Sequence, residues 1–125
     1  MRNTVLVVDD SAEMRLALCR LFKAAGGFHI CGEARNGLEA IRKMSELKPD
    51  LIVLDLCMPG INGLETARQM QTVTHPPPII LYSMNAEEIA ATEAFECGVT
   101  AIVSKAEGIW TLITKARSIL NQSAA

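Results

Sequence analysis

The sequence predicts an α/β domain built on one parallel sheet of five strands with helices on both faces. Two observations carry this. Five short apolar runs recur along 125 residues, and each but the last is followed by a segment with helical spacing of apolar positions before the next run begins. Three of the runs, Thr4–Val8, Leu51–Leu54 and Ile79–Ser83, are apolar almost throughout, the pattern of strands buried on both faces. Strict alternation of strand and helix implies right-handed crossovers between parallel strands. The length suits one domain, and half the residues are hydrophobic, enough for one packed core.

The first run ends at Asp9-Asp10-Ser11. Ser11 is placed to cap a helix in which Met14, Ala17, Leu18, Leu21, Phe22 and Ala25 share a face, and Gly26-Gly27 stops it. A shorter mixed strand covers Phe28–Ala34. Asn36-Gly37 turns the chain into a helix marked by Leu38, Ile41, Met44 and Leu47, which ends at Lys48-Pro49. The run Leu51-Ile-Val-Leu-Asp-Leu-Cys-Met-Pro-Gly60 follows, with Asp55 at its end and a turn at Pro59-Gly60.

A short helix over residues 61–70 turns Leu64 and Ala67 inward. Pro76-Pro77-Pro78 is a stiff connector to the fourth strand. A helix is expected from Glu87 to Cys97, with Ala91, Ala94 and Phe95 inward, stopped by Gly98. Ala101–Val103 is the fifth strand, and Ser104-Lys105 follow it. The last helix carries the stripe Ile109, Leu112, Ile113, Ala116, Ile119 and Leu120.

Composition excludes several function classes. Twelve basic against 14 acidic residues, with no basic run, gives no pull toward nucleic acid. No apolar stretch approaches the ~20 residues of a membrane span, and no leader-like segment precedes the first strand, so no membrane role and a cytoplasmic location are expected. The four cysteines, at 19, 31, 57 and 97, lack zinc-ligand spacing. Cys19 and Cys31 are expected as buried, reduced thiols.

In a parallel sheet the strand ends gather at one edge, where α/β proteins bind their ligands. Asp9 and Asp10, Asp55, Ser83 and Lys105 all arrive there. Singly, each has a plain structural use as a cap, a turn residue or a surface lysine. Together they form a constellation. Three clustered carboxylates favour a shared hard cation, Mg²⁺ or Mn²⁺. A carboxylate left over can attack phosphorus and form an aspartyl phosphate, with Lys105 and Ser83 holding other oxygens of the transferred group.

These residues, in the motifs Val7-Val8-Asp9-Asp10-Ser11, Asp50-Leu-Ile-Val-Leu-Asp-Leu-Cys-Met-Pro-Gly-Ile-Asn-Gly63, Leu81-Tyr-Ser83 and Val103-Ser-Lys105, closely resemble the receiver domain of two-component response regulators. The match runs from about residue 3 to 122. The resemblance implies a flavodoxin-like (βα)5 three-layer sandwich with strand order 2-1-3-4-5, and one receiver domain over residues 1–125, either stand-alone or a piece of a longer regulator.

The resemblance also implies the residue roles. Asp55 is the phosphoacceptor, charged by a sensor histidine kinase or a phosphotransfer protein. The Mg²⁺ ligands are Asp10, Asp55 and the backbone carbonyl of Cys57, with Asp9 acting through water. Ser83 moves toward the phosphoryl group, and Lys105 pairs with it. Beyond this self-catalysed transfer and slow autodephosphorylation, the chain is not expected to be an enzyme.

The face made by the fourth helix, fifth strand and fifth helix is implied as the partner surface. Ile89 and Trp110 fall off the apolar stripes and are expected there, and a homodimer of the phosphorylated form is a further partner. The sequence departs from the family at Ile102, where an aromatic switch residue is usual, and at Ala106, where a proline joined by a cis bond is usual. A cis bond at alanine costs about 2.5–4 kcal/mol. Cys57 and Asn85 occupy the positions that tune the lifetime of the phosphoryl state, and a longer-lived state is expected from them.

Three other readings compete. A flavodoxin would place a hydroxyl- and glycine-rich loop after the first strand, where this chain has acids. A metal-dependent phosphatase would carry a second acid at position 57. A receiver-like binding module that signals without phosphorylation is the third.

Overall fold

The computed structural model describes residues 3–84 and 90–124. The elements run β1 (Thr4–Val8), α1 (Ala12–Ala25), β2 (His29–Ala34), α2 (Gly37–Leu47), β3 (Leu51–Leu54), α3 (Gly63–Met70), β4 (Ile79–Ser83), α4 (Ala91–Glu96), β5 (Ala101–Ser104) and α5 (Ile109–Ala124). One five-stranded parallel sheet has the order β2-β1-β3-β4-β5, as expected. Among the described residues no helix is long and apolar enough to cross a membrane.

Successive residues of a strand point to opposite faces, so an all-apolar strand feeds two cores at once. Val5, Val7, Leu51, Val53, Ile80, Tyr82 and Val103 pack with α1 and α5, around Phe22, Leu112 and Ile113. Leu6, Val8, Ile52, Leu54, Ile79 and Leu81 pack with α2, α3 and α4, around Met44, Met70 and Ala94. The result is three layers with the sheet in the middle.

Several side chains expected in the core lie outside it. In α2 the buried positions are Gly37, Ala40 and Met44, whereas Leu38 is 70% exposed and Leu47 is 40% exposed. The cause is a close approach between helices. A Cβ on Gly37 would stand 2.2 Å from Thr66 Oγ1 and 2.6 Å from Ile61 Cγ1, so α2 meets its neighbour through glycine and its leucine turns away.

Over α4, Ala94 and Cys97 face the sheet three residues apart; Ala91 and Phe95 are exposed. The stripe of α5 begins at Leu112, because Ile109 sits in the first turn just past Gly108 (φ 95°) and stays half exposed. Ala17 of α1 is also exposed. The earlier part of the helix expected from Glu87, with Ile89 and Asn85, lies outside the described residues. Cys19 and Cys31 are half-buried free thiols, and burial raises the pKa of both. Cys97 is buried and Cys57 exposed.

Candidate functional site

The site is built by two aspartates that extend the sheet ladder one residue past its strands. The Asp9 N–H donates to the Ala34 carbonyl at 3.0 Å, and the Asp55 N–H donates to the Val8 carbonyl at 3.0 Å. Each carboxylate is thereby fixed at the sheet edge by its own backbone. Asp9 is 2% exposed and Asp55 7%. Asp9 Oδ1 also accepts from the Ser11 N–H at 2.9 Å, and the Ser11 hydroxyl accepts from the Met14 N–H at 3.2 Å, so one tight turn joins β1 to a capped helix. Asp10 lies between them and is exposed.

Carboxylate oxygens of Asp9, Asp10 and Asp55 all lie within 4.8 Å of one another. Lys105 lies against two of these carboxylates. Its Nζ is 3.1 Å from Asp9 Oδ2, 3.6 Å from Asp55 Oδ1 and 5.7 Å from the centre of the Tyr82 ring. Two of the three carboxylates thus pair with one ammonium. Burial raises the Asp55 pKa, and the charge of Asp9 and then of Asp10 adds to the rise. Lys105 and a backbone hydrogen bond from Cys57 oppose it. The donors are hard oxygens gathered at one sheet edge, a set that fits a divalent cation such as Mg²⁺.

Lys105 is held by a feature that the strand-and-helix pattern does not announce. Residues Lys105–Glu107 form a single 3₁₀ turn closed by a capping box. The Ser104 hydroxyl accepts from the Ala106 N–H at 3.1 Å, and Glu107 Oε2 accepts from the Ser104 N–H at 2.8 Å. The sequence signal was the spacing Ser104-x-x-Glu107. The described peptide bonds are all trans, Lys105–Ala106 included. Ser83 ends β4, is 1% exposed and lies in register beside Ser104.

Two further residues shape the edge. Gly63 opens α3, and its N–H donates to the Leu56 carbonyl at 2.7 Å. A Cβ there would stand 2.4 Å from the Asp55 carbonyl oxygen and 2.8 Å from Leu56 Cα. Only glycine lets α3 close onto the loop after Asp55. Arg15, on α1, spans the other flank: Nη1 donates to the Asp9 carbonyl at 2.8 Å and Nε pairs with Glu33 Oε1 at 3.1 Å. Nothing in helical periodicity marks Arg15, because its partners are a backbone carbonyl and a residue on another strand.

The structure therefore brings Asp9, Asp10, Asp55 and Lys105 together, with Ser83 on the adjoining strand end. Cys57 follows Asp55 in the exposed part of the loop. Ile102 is half-buried against the α2–α3–α4 core, and Trp110, on the first turn of α5, is 60% exposed.

The model of the response regulator receiver domain matches residues 5–117. A protein-glutamate methylesterase/protein-glutamine glutaminase of Myxococcus xanthus is 39% identical over 108 residues, covering 86% of this chain and 31% of that protein. The chain therefore spans about a third of that relative's length. The chemotaxis protein CheY of Thermotoga maritima is 35% identical over 105 residues, covering 84% of this chain and 87% of that protein. The crystal structure of the response regulator domain of Thermotoga maritima CheB superposes with a TM-score of 0.87 at 36% identity, covering 97% of this chain and 98% of that one. With the sheet order and the acidic edge already described, these matches establish that the chain belongs to the response regulator receiver domain family and is a receiver of two-component signalling.

Proposed function

We propose that Asp55 accepts a phosphoryl group from the phosphohistidine of a sensor histidine kinase or phosphotransfer protein in the cytoplasm. The observation that carries this is the pairing at the edge of β3. A buried carboxylate has one ammonium 3.6 Å away and the oxygens of two more aspartates within 4.8 Å. An Asp55 oxygen attacks phosphorus, the new P–O bond forms, and the P–N bond to the donor imidazole breaks with its electron pair returning to nitrogen.

The residues divide the work by position. Asp10, Asp55 and the Cys57 carbonyl would hold Mg²⁺, with Asp9 joined through water. Bound there, the ion supplies positive charge opposite the phosphoryl oxygens. Lys105, anchored by its capped turn, supplies the second positive charge, and the buried Ser83 hydroxyl donates to a third oxygen once the group is in place. No turnover of an external substrate is assigned to this chain; the methylesterase names belong to relatives of which it spans a minor part.

The exposed apolar side chains Met84, Phe95, Ile109 and Trp110 lie on or beside α4, β5 and α5. This face is the proposed partner surface, including pairing with a second phosphorylated copy.

The test is intact mass after incubation with Mg²⁺ and acetyl phosphate. The native chain gains one phosphoryl group, about 80 Da. Asp55→Asn and an EDTA-treated sample gain nothing. Labelling of Asp55→Asn to the native extent would remove Asp55 from its role.

A further inference from the structure

We infer that Arg15 is a positioning residue that sets the cation affinity of the acidic pocket by fixing the peptide unit between Asp9 and Asp10. This deepens the proposed Mg²⁺ reading and rests on it. The peptide in question carries one buried pocket carboxylate on its first residue and the exposed one on its second. Its carbonyl is taken by Arg15 Nη1 at 2.8 Å. The N–H preceding it is taken by Ala34 at 3.0 Å, and the Asp9 carboxylate accepts from the Ser11 N–H at 2.9 Å.

The Arg15 side chain is only 18% exposed, and its planar fork reaches two elements at once, the β1 end through Asp9 and β2 through Glu33. Rotation of the Asp9–Asp10 peptide would swing Asp10 relative to Asp55. Arg15 opposes that rotation from outside the pocket, touching no carboxylate of the pocket itself in the contacts described.

Charge and position make opposite predictions for this residue. A guanidinium beside an acidic pocket repels a cation, so charge alone predicts that its removal tightens Mg²⁺ binding. Loss of an outer hydrogen bond that orients the ligands predicts weaker binding, typically by tenfold or more. The sign of the change separates the two.

The experiment is calorimetric titration of the phosphate-free chain with Mg²⁺ at a temperature where circular dichroism shows each variant folded. Arg15→Gln is expected to bind about tenfold more weakly than the native chain. Arg15→Lys keeps the charge but lacks the fork, and falls between the two. Equal or tighter binding by Arg15→Gln overturns the inference, even if its thermal midpoint drops, since a purely structural role moves the midpoint and leaves the affinity of the folded chain alone. If Arg15→Gln does not fold, Arg15→Lys decides: affinity equal to native overturns the inference, and a loss supports it. A native chain that binds no Mg²⁺ overturns the cation reading and this inference with it, a result distinct from native binding that Arg15 does not affect.

Discussion

Around the ends of β1 and β3 the side chains that matter are polar, and Asp9 and Asp55 among them are buried; around α4 and α5 they are apolar and exposed. Asp9 and Asp55 are nearly inaccessible, tied by backbone ladders, and matched by a lysine in its own capped turn. Phe95, Ile109 and Trp110 stand half or more in solvent. The helix ends differ in the same way. Asn36 and Asn62 cap α2 and α3 through their side chains, at 2.8 Å and 2.9 Å, whereas Ala90 gives α4 no such bond. Buried charge tolerates little displacement, because each group's partners are few and fixed. An exposed apolar face, lightly held, keeps its apolar surface for another molecule. The proposed chemistry and the proposed partner face would thus sit on the two kinds of surface suited to each.

The largest way to break that contrast is Gly63→Ala. The new Cβ would meet backbone atoms of Asp55 and Leu56, which have no rotamer to yield. Overpacking of this kind costs about 1–3 kcal/mol. Displacement of Asp55 by a fraction of an ångström to an ångström should also slow labelling by acetyl phosphate by up to about a hundredfold. Chemical denaturation and the mass assay read the two effects. A variant with native stability and native labelling would show that the loop after Asp55 is not set by α3.

How much of this was legible in the sequence follows from the same contrast. Strand ends are readable, because an apolar run followed by Asp specifies both the burial and the edge; Asp9, Asp10, Asp55, Ser83 and Lys105 all lie at the strand ends where they were expected. Helix rotation was less readable. Leu38, Phe95 and Ile109 fit a helical stripe on paper, but apolar residues are free to be exposed, and the helix turns to suit whichever neighbour packs tightest. At α2 that neighbour meets Gly37, which carries no hydropathy signal at all. Arg15 was invisible for a different reason: its partners, the Asp9 carbonyl and Glu33, come together only in the folded sheet.

A smaller effect tests the charge balance of the pocket. Burial and the neighbouring aspartates raise the Asp55 pKa against the pull of Lys105. The folded chain then keeps the Asp55 proton to higher pH than the unfolded chain, whose value is about 3.9. Between those two values the folded state binds more protons, so stability falls as pH rises and stays lower above the folded value. Asp55→Asn removes this penalty. In metal-free buffer its thermal midpoint should exceed the native one at pH 7, and the gap should close below about pH 4, where Asp55 is neutral in both states. A variant less stable than native at pH 7 would mean that the Lys105 pair outweighs burial.

Trp110→Ala should have the smallest effect on the fold and a selective one on the readout. Trp110 is 60% exposed on the first turn of α5, two residues before the buried stripe that begins at Leu112. Truncating a side chain in that position leaves no cavity, and surface substitutions of this kind stay within about 0.5 kcal/mol. Asp55 and Lys105 are untouched, so labelling by acetyl phosphate should match the native chain. Self-association of the phosphorylated form, measured by sedimentation, should weaken, because a large exposed aromatic is the kind of residue on which interfaces concentrate their energy. If phosphorylated Trp110→Ala associates as the native chain does, the apolar face around α5 is ordinary surface, and the contrast between the two regions concerns stability alone. If association is lost while labelling and stability persist, the two regions are separable, one holding the phosphoryl group and the other reporting it.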